Sequence, residues 1–168
     1  MINEDLNINH VFANLLKIIR ALSFLTTLLL PGLYIAITTY HGELLPTELL
    51  FSIVSSREKV PFMVIVEIIL MEISFEIIRE AGLRVPSPLG STVGIIGALI
   101  LGQAAVQADV VSPILIIIIA ITGITSFSVP DFHLSFHLRV SRFLYILLGF
   151  FAGFLGIIIG LFIYLVRL

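Results

Sequence analysis

Residues 67–80 read EIILMEISFEIIRE, a stretch in which four glutamates and one arginine interrupt a run of large apolar side chains. The chain around this stretch is too apolar for a soluble domain. Of its 168 residues, 59% are hydrophobic and 12% are charged, whereas soluble domains average about 45–50% and about 25%. This composition predicts an integral membrane protein, in which each charge needs a partner or water.

The sequence lacks the residues that several classes of function require. The formal net charge of −2 provides no basic surface for nucleic acid, and the absence of cysteine excludes disulfides and thiolate metal sites. We find no nucleophile elbow, catalytic triad or phosphate-binding loop, so we expect neither an enzyme nor a bound cofactor. His133 and His137 have i,i+4 spacing, but no third ligand completes a pattern, so we predict no metal site.

The distribution of apolar runs predicts an all-α, polytopic helical membrane bundle. Residues 1–16 form an N-terminal arm in this interpretation, and residues 17–168 form the helical membrane domain. We expect four or five membrane-embedded helices and one short amphipathic helix within residues 41–62. The apolar runs cover residues 21–39, 62–82, 91–107, 113–127 and 143–166.

The charges of the quoted stretch fall mainly on one side of a helix. At 100° per residue, four of them occupy roughly a quarter of the circumference, and Glu67 lies nearly opposite. These four, called the polar stripe below, are Glu72, Glu76, Arg79 and Glu80. The first explanation for the stripe is an ion-pair cluster near a membrane surface, with Arg79 and Arg84 as counter-charges. The alternatives are the lining of an ion or substrate pathway and a helix that lies in the membrane interface.

Two further patterns concern helix contacts. Gln103 and Gln107 share a helix face and Asp109 follows them, so these residues could line a pathway or form interhelical hydrogen bonds. The last apolar run carries glycines at spacings of 4, 3 and 4, which predicts close helix packing. This glycine seam consists of Gly149, Gly153, Gly156 and Gly160.

Longer motifs resemble one known family. The segments LLLPGLYIAITTYHGELLPTELLFSI (28–53), MEISFEIIREAGLRVPSPLG (71–90) and GALILGQAAVQADVVSP (97–113) are similar to the membrane region of the A subunit of bacterial spore germinant receptors, the GerA family. The resemblance runs from about residue 15 to the C-terminus. Members of that family usually carry a large soluble region before the first span, which is missing from this sequence.

The resemblance implies a location and partners that the composition does not. It implies the inner membrane of a spore, a transporter-like B subunit, a lipoprotein C subunit, and a homo-oligomer of A subunits that forms a nutrient-gated ion channel in germination. Two alternatives remain open on the sequence. The chain could be a non-conducting scaffold that binds partner helices through the glycine seam, or a small secondary transporter, although no internal repeat supports the latter.

Overall fold

The computed structural model describes residues 10–84, 90–128 and 132–167. These residues form six α-helices and one short 3-10 turn at Gly42–Leu44, with no strand among them, which confirms the all-α class for this part of the chain. The helices are α1 (His10–Tyr40), α2 (Thr47–Arg57), α3 (Val64–Leu83), α4 (Gly90–Gln107), α5 (Pro113–Ser126) and α6 (Phe132–Arg167).

Helix α1 is the centre of the packing. One of its faces contributes Tyr34 and Ile35 to an apolar cluster with α3, α5 and α6. Leu28 and Ala36 of the same helix belong to a second apolar cluster with α6. Because lipid tails are as apolar as these side chains, this packing gains its stability from van der Waals contact and close fit rather than from transfer out of water.

Helix α6 is not straight, because Gly153 interrupts it with backbone angles of φ 56° and ψ −139°. The first arm (132–152) runs in the same direction as α1, since Gly32 meets Tyr145 and the Tyr40 hydroxyl donates a hydrogen bond to the Phe150 carbonyl at 2.7 Å. The second arm (154–167) returns along α1, where the rings of Phe24 and Tyr164 lie 6.5 Å apart. The last apolar run, expected over residues 143–166 as one span, is therefore divided at Gly153 into two arms.

The expected number of membrane-embedded helices is not established. By length and apolar composition, two of the described helices could cross a membrane, over Phe12–Tyr40 and Phe136–Tyr164. The second of these contains the break at Gly153. Two other apolar helices, Thr92–Gln107 and Pro113–Ser126, are shorter. Helix α1 also begins at His10, so the described part of the predicted N-terminal arm is helical.

A short helix is present within residues 41–62, where an amphipathic one was predicted, and this helix is α2. Only Ile53 of this helix is buried, and Phe51 and Val54 are exposed. Helix α2 therefore presents apolar side chains away from the rest of the chain, as an interfacial helix does.

Gly153 should tolerate substitution poorly. Its backbone angles lie in a region that only glycine adopts readily, so Gly153→Ala is expected to cost roughly 1–3 kcal/mol of stability. Gly94→Ala is the matched control, because a methyl group there would meet its nearest neighbour, the Ile78 carbonyl oxygen, at an ordinary 3.9 Å. Thermal unfolding in detergent should show a lower midpoint for Gly153→Ala and an unchanged or higher midpoint for Gly94→Ala. Equal midpoints for the two variants would contradict the strained conformation.

Candidate functional site

Two carboxylates of the polar stripe, Glu72 and Glu76, face the first arm of α6. Glu72 lies 2.6 Å from a guanidinium nitrogen of Arg142, and both side chains are only 2% exposed. One carboxylate oxygen of Glu72 and the Nε of Arg142 make no hydrogen bond within the described residues. The pair therefore rests on a single close contact, in a place where an unpaired charge would be very unfavourable.

A second ion pair lies beside the first. Glu76 contacts Arg139 at 2.5 Å, with Arg139 mostly buried and Glu76 about one-third exposed. Glu72 and Glu76 are one helical turn apart on α3, and Arg142 and Arg139 are nearly one turn apart on α6 in the opposite order. The two pairs thus fix an antiparallel register between α3 and the first arm of α6.

Arg79 is held by different contacts from those expected. The sequence suggested an i,i+3 ion pair with Glu76, but among the described residues Glu76 pairs with Arg139 instead. Arg79 donates hydrogen bonds to the Gly123 carbonyl oxygen at 3.2 Å and to the Ser126 hydroxyl, both at the end of α5. Its guanidinium also lies over two aromatic rings, those of Phe75 and Phe127. Arg79 therefore connects α3 to α5.

Glu80 is more exposed to solvent than the other three members of the stripe. It pairs with Arg84 at 3.3 Å, as the sequence suggested, but the two side chains are 57% and 81% exposed. An exposed i,i+4 pair of this kind contributes little to stability. The stripe thus contains two buried charges, Glu72 and Arg79, one partly exposed charge, Glu76, and one solvent-facing charge, Glu80.

A buried carboxylate on the opposite side of α3 was not assigned a role by the sequence. Glu67 is 1% exposed and lies 3.1 Å from Arg57 at the end of α2. Its second oxygen accepts a hydrogen bond from the backbone N–H of Ser112 at 3.0 Å. Ser112 is the N-cap residue of α5, so this carboxylate satisfies an otherwise free helix-terminal donor. One side chain therefore joins α2, α3 and α5.

The polar residues of α4 have no such partners. Gln103, Gln107 and Asp109 are all exposed, and neither glutamine side chain makes a hydrogen bond within the described residues. Asp109 has φ 53°, a left-handed conformation at the turn that follows α4. These three residues therefore point away from the bundle formed by a single chain.

The glycine seam does not lie on one face of a straight helix. A methyl group on Gly149 would be 2.5 Å from the Gly32 carbonyl oxygen, so this glycine permits close contact with α1. Methyl groups on Gly156 and Gly160 would instead meet Leu148 of the first arm. Gly153 forms the turn between the arms. All four glycines are therefore occupied by contacts within the chain.

No group of three or more metal-ligating side chains occurs in the part of the chain that the structure describes. His137 is exposed at the beginning of α6. The side chain of His133 lies outside the described residues, so the spacing noted in the sequence has no geometric counterpart to examine.

Breaking the buried ion pair should be costly, because it leaves one charge without its counter-charge. We expect Glu72→Gln to reduce the free energy of unfolding by about 3–5 kcal/mol. The double variant Glu72→Leu/Arg142→Met should recover most of that loss. Glu80→Gln, the exposed control, should change stability by no more than about 0.5 kcal/mol. Denaturant titration in mild detergent measures all three, and a double variant as unstable as the single one would contradict the pairing.

Comparison with known proteins places this arrangement in one family. The family model described as Bacillus/Clostridium GerA spore germination protein matches residues 1–168. Spore germination protein KA of Bacillus subtilis is 46% identical over 165 residues, which are 98% of this chain and 30% of that protein. The membrane protein YfkQ of Bacillus subtilis is 43% identical over 99% of this chain and 32% of its own length.

A further relative comes from another species. Spore germination protein GerLA of Bacillus cereus is 42% identical over 94% of this chain and 32% of that protein. The chain thus spans about one-third of the length of the relatives it matches. No solved structure matches it. Since the family model covers the whole sequence, the chain belongs to the Bacillus/Clostridium GerA family of spore germination proteins.

Proposed function

We propose that the chain is the membrane region of a germinant receptor A subunit and contributes to a nutrient-gated, ion-conducting oligomer in spore germination. In this proposal it has no enzymatic activity. It resides in the spore inner membrane and assembles with further copies of itself, with a transporter-like B subunit and with a lipoprotein C subunit. Membership in a family of spore germination proteins and the two long apolar helices support this proposal.

The observation that carries the proposal is the contrast between two sets of polar residues. The carboxylates of Glu72 and Glu76 on α3 are paired inside the chain with Arg142 and Arg139. They serve, in this proposal, to hold the subunit in shape rather than to line a pathway. Gln103 and Gln107 are exposed, and their amides make no hydrogen bond with the part of the chain that the structure describes. In a membrane such amides require another subunit or water.

We therefore assign the outer face of α4 to the conducting pathway or to the subunit contact beside it. Rings of small and polar side chains, with acids at the mouth, are typical of cation pores. Helix α4 carries the small residues and the glutamines, and Asp109 lies just beyond its C-terminal end. The scaffold alternative required a glycine seam free for partner helices. The seam is instead occupied by contacts with α1 and within α6.

Replacing the amides tests this assignment. Gln103→Leu and Gln107→Leu should change the cation flux through proteoliposomes that contain the chain together with its receptor subunits, because a polar ring becomes apolar and loses its water. We expect a change of at least severalfold in the flux or in its dependence on nutrient.

Ile100→Leu is the matched control for these variants. Ile100 is 61% exposed on the same helix, and the substitution keeps it apolar and of equal volume. Its flux should equal that of the unchanged chain. Unchanged flux in both glutamine variants would refute a pathway at this face. A complete absence of flux from the unchanged assembly would refute conduction altogether.

A further inference from the structure

An apolar groove opens between α3, α4 and α5. It has a volume of about 160 Å³, and all the side chains that line it are apolar. Cavities of about 150 Å³ with such linings stay dry and accept an apolar molecule as large as benzene. The groove could therefore take a segment of about six carbon atoms, and more along its open side. Its lining includes Met71, Phe75, Leu99, Gly102, Ile116 and Phe127.

A positive charge lies at one end of this groove. The guanidinium of Arg79 is 5.3 Å from the ring centre of Phe75 and 4.6 Å from that of Phe127, and both rings line the groove. Arg79 is 7% exposed. Its two hydrogen-bond acceptors, the Gly123 carbonyl and the Ser126 hydroxyl, are neutral. Its Nε makes no hydrogen bond within the described residues.

This charge differs from the other buried cations of the chain. Arg142 contacts a carboxylate directly, as does Arg139. Arg79 has no carboxylate within ion-pair distance among the described residues, although a charge within a membrane protein normally has one. The attraction between opposite charges falls as the inverse of their distance and is stronger at low dielectric constant, so Glu76 and Glu72 already act on Arg79 from beyond ion-pair distance. An anion at the end of the groove would therefore be attracted without having to touch the guanidinium.

The length and position of the groove correspond to one leaflet of a bilayer. Along α5 and its C-cap the lining runs from Ile116 to Phe127, a rise of about 16 Å at ~1.5 Å per residue. Half of a ~30 Å hydrocarbon core is about 15 Å. Arg79 lies one turn before the end of α3, and Phe127 directly follows α5. The charged end is thus at the helix termini, where lipid headgroups would be.

We propose that this groove binds one acyl chain of an anionic membrane phospholipid, whose headgroup phosphate is held near Arg79. The apolar lining accepts the chain, and the incompletely compensated guanidinium selects the negative headgroup. The proposal is independent of whether the assembly conducts ions. It adds a lipid site on the side of the bundle that α3, α4 and α5 form.

The test is lipid retention by the full chain. The protein is reconstituted in nanodiscs that contain equal amounts of phosphatidylglycerol and phosphatidylcholine, released, and analysed by native mass spectrometry. We expect one retained phosphatidylglycerol per chain, with a preference of about fivefold over phosphatidylcholine. This is the ratio that corresponds to ~1 kcal/mol from one basic residue near an anionic surface.

Three variants separate the headgroup from the acyl chain. Arg79→Gln should abolish the preference for phosphatidylglycerol, and Arg79→Lys should keep it. Ala120→Phe places a ring in the groove at an exposed position and should reduce retention of both lipids. Ile117→Phe is the matched control, since Ile117 is exposed on the same helix and does not line the groove. It should retain lipid as the unchanged chain does.

Several results would overturn the proposal. Equal retention of the two lipids by the unchanged chain would refute the proposed headgroup site at Arg79. Unchanged lipid retention in Ala120→Phe would place the lipid elsewhere. A dimer without retained lipid, dissociated by Ala120→Phe but not by Ile117→Phe, would show that a second copy of the chain covers the groove. If Arg79→Gln fails to fold, as judged by circular dichroism, the Ala120→Phe and Ile117→Phe pair still decides whether the groove holds lipid.

Discussion

The antiparallel pairing of Glu72 with Arg142 and Glu76 with Arg139 is the constraint on which the rest of the arrangement depends. Each insertion of a lone charge into a membrane costs about 2.5–3.5 kcal/mol on translocon scales. Separating the two acids on α3 from the two bases on α6 would leave four lone charges, and each would add that free-energy cost. A sliding of α3 by one turn would leave a carboxylate opposite an apolar residue. The register of the two helices is therefore set by charge, and the apolar contacts with α1 follow from it.

The helix periodicity predicted which charged residues of α3 share a side, but not which residues they pair with. It placed Glu72, Glu76 and Arg79 on one side of α3 and Glu67 nearly opposite. In the structure Glu72 and Glu76 contact α6, whereas Arg79 and Glu67 contact α5. Periodicity within one helix states which residues share a face, but not which helix that face meets. Arg79 and Arg84 were the nearest bases in sequence, whereas the bases that pair with Glu72 and Glu76 are 70 and 63 residues away. Only tertiary packing brings them together.

The glycines illustrate a second limit of the sequence. Glycine serves both as a small residue for close helix contact and as the residue that accepts a positive φ. The regular spacing in α6 suggested the first use for all four positions, and Gly149 does contact α1 closely. Gly153 has the second use, and the helix reverses there. Spacing does not distinguish these uses, because the difference depends on the backbone that the neighbouring helices impose.

The distance along the chain between the paired charges has a consequence for biosynthesis. Glu72 and Arg142 are separated by 70 residues, and a ribosome adds about 5–20 residues per second. Glu72 is thus added to the chain roughly 4–14 s before Arg142. During that interval its carboxylate must remain hydrated, become protonated, or be sheltered by the insertion machinery. Completion of α6 is then the step that allows α3 to settle at its final depth, so the synthesis of α6 controls the insertion of α3.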